Sequence, residues 1–165
     1  MGVWVSVTGW VGASVDDVIG CGSAEEVVGR WFPVLAAVDG RGPGGGLQAG
    51  AAGRAELVLH RGVAVPVRWR VVRRVRDTVH VEVVDDAGDR LALRSSFSPW
   101  HGGTAVELGV EGDRIGGRRL RQRTVERALD RSIAAATGRA SRTAGRSARR
   151  PDALLPSVAG PAVSR

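Results

Sequence analysis

The chain has 165 residues, of which 43% are hydrophobic, and its formal net charge is +7. This length is typical of one domain with a sizeable core. Cys21 is the single cysteine, which excludes an internal disulfide and favours a reducing, cytoplasmic location. No apolar run approaches the roughly 18 residues that a spanning helix needs, and no secretory signal is recognisable, so neither a membrane-spanning nor a secreted protein is expected.

The positive charge is confined to the last third of the chain. Residues 1–113 contain 11 Arg and 14 acidic residues, a net charge of −3. Residues 114–138 contain 7 Arg and 2 acidic residues, and residues 139–165 contain 6 Arg and 1 acidic residue, each a net charge of +5. Every basic residue other than histidine is arginine, which is typical of a GC-rich bacterial coding sequence. The asymmetry indicates a basic arm or tail on a mildly acidic domain.

The first third predicts a strand followed by two short helices. Over Val3–Val11, Val3, Val5 and Val7 alternate with Trp4, Ser6 and Thr8, the pattern of a half-buried strand. Ser14 can cap a short helix, and Ser23 to Glu26 form a capping box for a second helix that ends near Arg30. The glycine-rich residues 40–46 predict a loop.

A series of alternating segments follows, with short links between them. The predicted strands cover residues 55–60, 63–71, 79–83, 91–97 and 106–110. Alternation indicates one buried and one wet face, and short links leave no room for crossover helices, so the sheet is predicted to be antiparallel. The wet face offers charged residues for cross-strand pairing: Arg68, Arg70, Glu82, Arg90, Arg94, Glu107 and Glu111.

A long C-terminal helix is predicted to cover the apolar face of this sheet. Between residues 117 and 138 an apolar stripe recurs at helical spacing and includes Leu120, Val125, Leu129, Ile133 and Ala136. Gly138 is the expected stop. Residues 139–165 are rich in Arg, Ser, Ala and Pro without periodicity, so a disordered tail is expected after a domain of residues 1–138.

The order of these elements resembles that of the SRPBCC superfamily, which includes START-like and polyketide-cyclase-like proteins. Three segments support the resemblance: Ser14–Val18 at the first short helix, Trp31–Pro33 after the second, and Trp100–Thr104 before the last strand. It covers residues 3–138 and implies an α+β helix-grip fold, a curved antiparallel sheet gripped by the long C-terminal helix. It also implies a cavity between sheet and helix for a lipid, a polyketide or another apolar molecule.

The inward positions of the predicted strands and helix are the candidate cavity lining. They are Val67, Trp69, Val71, Val81, Val83, Leu93, Ser95, Phe97, Val106, Leu108 and Leu129. The same apolar pattern is what a filled core would show, so the residues alone leave both interpretations open.

Binding is favoured over catalysis. Some cyclases of this superfamily place titratable groups in the cavity, and an enzyme of this kind would be a polyketide cyclase or dehydratase. Here the inward set contains only Ser95, joined by Glu56 or His60 if that strand is phased the other way. No nucleophile with a partner base is recognisable, so catalytic residues stay unassigned.

Two other motifs are weighed against plainer explanations. The glycine-rich residues 18–23 resemble a methyltransferase loop, but they lack the parallel α/β context which that loop needs. His60, His80 and His101 match no metal-ligand spacing, so neither a metal nor a cofactor is predicted.

The arginine-rich C-terminal third supports a third hypothesis, a basic adaptor. Spaced arginines neutralise phosphates, so this region could contact RNA, the ribosome or an anionic membrane. A solvated helix face is the simpler explanation, and no aromatic residues interleave the arginines as single-strand binding would favour. Oligomeric state is not indicated by the sequence.

Overall fold

The computed structural model describes residues 2–19, 24–32, 34–41, 48–60 and 63–147. The strands are β1 (Val3–Val11), β2 (Leu35–Arg41), β3 (Ala52–His60), β4 (Val63–Val75), β5 (Thr78–Asp85), β6 (Arg90–Trp100), β7 (Gly103–Gly112), β8 (Arg114–Ile115) and β9 (Arg118–Arg119). The helices are α1 (Val15–Ile19), α2 (Ala24–Trp31) and α3 (Gln122–Ser147). No helix among these residues is long and apolar enough to cross a membrane.

Seven strands form one antiparallel sheet in the order β1-β7-β6-β5-β4-β3-β2. The first strand of the chain therefore pairs with β7, the last long strand, and β2 forms the opposite edge. Register shifts between Ala36 and Asp39, Leu57 and His60, and Val71 and Arg73 interrupt the ladders. Such irregularities bend strands, which suits a sheet that curves around a helix. The predicted helix-grip architecture is confirmed.

The inner face of the sheet is apolar, as the alternation predicts. Cross-strand neighbours such as Val71, Val81 and Leu93 lie side by side on it and are each 1% exposed. Helix α3 covers this face with a buried stripe that includes Val125, Leu129, Ile133 and Ala136. One domain core therefore lies between the sheet and the helices.

Gly9 allows α3 to lie close to β1. A Cβ atom at this position would come within 2.6 Å of Cγ1 of Ile133 and 3.0 Å of Cγ2 of Thr137. Any larger side chain would push the helix away from the strand, because a packed core resists even one additional methyl group.

On the outer surface, polar side chains cap helix α1 and form ion pairs between neighbouring strands. Ser14 caps α1, since its Oγ accepts a hydrogen bond from the Asp17 amide at 3.2 Å. Arg70 and Arg90 both pair with Glu82, at 3.2 and 3.3 Å, and Arg94 pairs with Glu107 at 3.2 Å. These pairs lie in solvent and contribute well under about 1 kcal/mol each. Ser23, the predicted cap of α2, lies outside the described residues.

Two segments differ from the prediction made for them. The expected loop at 40–46 begins too early, because β2 continues through Arg41 and pairs with β3. The helix expected from residue 117 starts only at Gln122, and residues 114–119 form the β8–β9 hairpin instead. Gly116 and Gly117 form its two-residue turn with φ of +60° and +71°, the left-handed conformation that glycine adopts without strain.

The predicted stop of the last helix is also wrong. Helix α3 continues through Gly138 to Ser147. A glycine in a helix interior costs about 1 kcal/mol relative to alanine, which the good helix formers around it can offset. The remainder of the predicted disordered tail, residues 148–165, lies outside the described residues, and a domain boundary at residue 138 stays a prediction.

Leu129→Ala should lower the free energy of unfolding by about 2–5 kcal/mol, because it leaves a cavity where α3 meets the sheet. Leu129 is 2% exposed, whereas its neighbour Asp130 is exposed. Asp130→Ala is therefore the control and should change stability by less than about 0.5 kcal/mol. Urea denaturation of both variants measures this difference, and equal losses would contradict the packing of α3.

Candidate ligand-binding site

All eleven predicted lining residues are buried on the inner face or on the side of α3 that faces it. None is more than 4% exposed: Val67, Trp69, Val71, Val81, Val83, Leu93, Ser95, Phe97, Val106, Leu108 and Leu129. The structure therefore brings the predicted set together. Contact between these residues and a ligand stays a prediction.

Polar atoms in and beside this set form hydrogen bonds to main-chain carbonyls. The Oγ of Ser95 donates a hydrogen bond to the Trp31 carbonyl at 2.8 Å, and the Trp31 indole donates to the Val18 carbonyl at 3.1 Å. The Trp31 and Phe97 rings pack edge to face, with their centroids 5.1 Å apart. Ser95 thus joins the sheet to α2, and its proton is committed to a carbonyl. Glu56, the alternative inward acid, is exposed, and the side chain of His60 is outside the described part.

A pocket of about 490 Å³ lies where the inner face reaches the link between β3 and β4. Its volume is in the range of small-molecule sites. Strands β3 and β4 supply one apolar wall, and the β8–β9 hairpin and the start of α3 supply the other. The lining residues are Leu57, Leu59, Val63, Val65, Ile115, Arg118, Arg119, Leu120, Arg121 and Thr124. The eleven predicted residues are not among them.

The hairpin is held against this pocket by a buried carboxylate. Asp85 is 3% exposed and accepts hydrogen bonds from the Gly116 amide at 2.6 Å and the Asp89 amide at 2.9 Å. Gly116 lies so close to β4 that a Cβ there would come within 2.8 Å of Cγ2 of Val65. The hairpin thus closes the pocket because a turn glycine and a buried aspartate permit that approach.

Arginines surround the mouth of the pocket. Arg118, Arg119 and Arg121 line it and are exposed. The Nε of Arg119 pairs with Asp113 at 3.3 Å, while neither Arg118 nor Arg121 forms an ion pair with any described residue. The lining contains no acidic residue. The site is therefore apolar inside and positive at its opening.

Among the described residues, His80 has an environment that shifts its pKa. It lies half-buried on the outer face, opposite Arg73 on β4 and Arg94 on β6. Partial burial and the two guanidinium charges lower the pKa of His80 below its ordinary value of 6.5. Within the described part of the chain, no three potential metal ligands come together.

Sequence reasoning missed the pocket, although signals for it were present. Leu57, Leu59, Val63 and Val65 share the alternation that predicted the deeper residues. The Gly116–Gly117 pair is a strong signal for a two-residue hairpin turn. What the alternation could not indicate is which part of the inner face α3 leaves uncovered.

No protein-family model and no curated protein matches the sequence. Solved structures do match the fold. Ara h 8.0201 is 12% identical with a TM-score of 0.57, and the match covers 85% of this chain and 98% of that one. TTHA0849 from Thermus thermophilus is 17% identical with a TM-score of 0.59, and the match covers 86% and 99%.

A third match is DynU16, from the dynemicin biosynthetic locus. It is 19% identical with a TM-score of 0.54, and the match covers 86% of this chain and 47% of DynU16. At these identities, the likenesses show the shared helix-grip fold and leave the ligand and activity to be established from the site itself.

Asp85→Ala should lower the free energy of unfolding by about 1–3 kcal/mol, because two main-chain amides lose the buried carboxylate that accepts their hydrogen bonds. Asp86 is exposed, so Asp86→Ala is the matched control and should be nearly neutral. Amide exchange at Gly116 should accelerate only in Asp85→Ala. Unchanged exchange there would show that Asp85 does not anchor the hairpin.

Acid should destabilise the fold through His80. The pKa of His80 in the folded state lies below 6.5, so the unfolded chain takes up a proton at a higher pH than the folded chain does. The free energy of unfolding is therefore at its full value above the unfolded pKa and decreases as the pH falls through the folded pKa. His80→Gln should reduce the loss of stability between about pH 7 and about pH 5. Denaturation at several pH values, in low and high salt, measures this. Burial is the larger cause, so the effect should persist in high salt, where arginine charges are screened.

Proposed function

We propose that the protein binds an apolar small molecule in the pocket between the β3–β4 end of the sheet and the start of α3. The observation that carries this proposal is the pocket itself, a partly enclosed space of about 490 Å³ in which six of the ten lining residues are aliphatic. Aliphatic side chains bordering such a space gain by contact with an apolar ligand, at roughly 25 cal/mol per Å² of apolar surface removed from water. A lipid or a polyketide-like molecule has this chemistry.

Membership of the SRPBCC superfamily is part of the proposal. It is supported by the helix-grip fold together with the sequence segments Ser14–Val18, Trp31–Pro33 and Trp100–Thr104. The match to DynU16, a protein of the dynemicin biosynthetic locus, supports a place in the chemistry of natural products. The eleven predicted residues do not line the pocket, and a ligand would reach them only if it extended deeper than this space. Val67 would meet the ligand first, since it follows Val63 and Val65 on the same face of β4.

Binding is favoured over cyclase chemistry by the state of the inner polar groups. A cyclase needs an acid or a base beside its substrate. Ser95 donates to a main-chain carbonyl, and Glu56 is exposed. The arginine-rich C-terminal third could still contact nucleic acid or an anionic surface, and this stays a prediction.

Val63→Phe should weaken the binding of a neutral apolar fluorophore, N-phenyl-naphthylamine, by about tenfold or more, because the larger ring occupies the pocket. Val63 lines the pocket, whereas Val72 on the same strand is 46% exposed. Val72→Phe is thus the matched control and should bind like the wild type.

Fluorescence titration measures both affinities, and circular dichroism checks that both variants are folded. Native mass spectrometry of protein released gently from a host extract adds a search for the natural ligand. If the wild-type protein fails to bind the fluorophore, or if folded Val63→Phe binds it unchanged, this pocket is not the site.

A further inference from the structure

We propose that the ligand is amphipathic: an apolar chain fills the pocket, and an oxyanion at its end, a carboxylate or a phosphate, binds Arg118 and Arg121 at the mouth. The inference rests on the proposed function and adds the chemical class of the ligand. It is independent of how deep the apolar part of the ligand extends.

The charge at the mouth carries this inference. Three of the ten lining residues are arginines, and none is acidic. Two acids are near in the chain: Asp113 pairs with Arg119 through a 3.3 Å contact, and Glu126 accepts a hydrogen bond from the side-chain amide of Gln122 at 2.9 Å. Arg118 and Arg121 have no such partner among the described residues, so the opening has an excess of positive charge.

The arginines are held in place by the fold around them. Arg118 belongs to β9 and is paired across the hairpin with Ile115, which is 5% exposed. Arg121 is the last residue before α3, and its carbonyl accepts hydrogen bonds from the amides of Thr124 at 2.9 Å and Val125 at 3.1 Å. The backbone is thus fixed at a residue before and a residue after Leu120, whose side chain lines the pocket.

The chemistry of the two zones sets the orientation of the ligand. A guanidinium presents a planar set of donors that fits a carboxylate or a phosphate. The aliphatic interior cannot satisfy a charge, so an ionised head would stay at the mouth while the chain enters. A cationic head would be repelled, and a neutral head would gain less. The site would therefore select among molecules that share the same apolar chain.

Four competitors with one dodecyl chain separate the head from the chain: dodecanoate, dodecyl phosphate, dodecanol and dodecyltrimethylammonium. Each competitor is titrated, below its own micelle-forming concentration, against N-phenyl-naphthylamine bound to the full-length protein, and displacement of the fluorophore gives its affinity. At least one oxyanion should bind about fivefold or more tightly than dodecanol, as expected from two partly solvated charge contacts. The cation should bind more weakly than dodecanol. The tighter oxyanion identifies the preferred head group.

Arg118→Gln with Arg121→Gln should abolish the preference for the oxyanion and leave the affinity for dodecanol unchanged. The matched control is Arg127→Gln with Arg131→Gln, which removes the same charge from exposed positions of α3 outside the pocket. This control should keep the preference.

Equal loss of preference in the two double variants would assign the effect to overall charge and overturn the proposal. Tight binding of dodecanol with no preference for either oxyanion would overturn it as well, while the proposed function would stand. A wild-type protein that binds neither the fluorophore nor any dodecyl competitor would refute the proposed function, and this inference with it.

Discussion

The structure depends on one packing constraint: a single long helix has to cover the apolar face of a seven-stranded sheet. Helix α3 lies chiefly against β1 and makes fewer contacts with β3 and β7. Gly9 permits the close approach, because Ile133 occupies the space where a side chain would be. Since a helix is only about 10–12 Å wide, it does not fill the whole face, and a space remains between the start of α3 and strands β3 and β4. This space is the pocket.

The β8–β9 hairpin partly encloses this space. It interrupts the path from β7 to α3, and its tight turn is possible because Gly116 and Gly117 both adopt positive φ. Its position is fixed by Asp85, whose carboxylate is buried yet accepts two amide hydrogen bonds. A buried carboxylate without partners would be costly, so these amides make the anchor stable. The same anchor holds the hairpin to which Arg118 and Arg119 belong.

Much of the fold could be predicted from the sequence, because alternation and helical spacing report directly which side chains are buried. Strand β2 could not be predicted, because Leu35 is the one fully buried residue in it and no alternation is visible. Main-chain pairing to β3 is what defines this strand. The end of α3 was misjudged because one glycine is a weak stop when good helix formers follow. The lining of the pocket was not predicted, although it lies on the same face as the eleven predicted residues. Periodicity identifies a face and does not reveal which part of it a helix leaves open.

The polar groups of the interior indicate what kind of function this scaffold supports. Trp69 donates to the Asp39 carbonyl at 2.9 Å, Thr104 to the Ala13 carbonyl at 2.7 Å, and Ser95 to the Trp31 carbonyl at 2.8 Å. Each bond ties a strand of the sheet to a segment distant from it in the sequence. Groups held in this way rigidify the core and have no proton to exchange with a ligand. The reactive charges of the site are the arginines at its mouth, which can orient a bound molecule but, always protonated, cannot serve as a base. In the proposed site, aliphatic walls would hold the chain of a ligand and the arginines at the opening would orient its head.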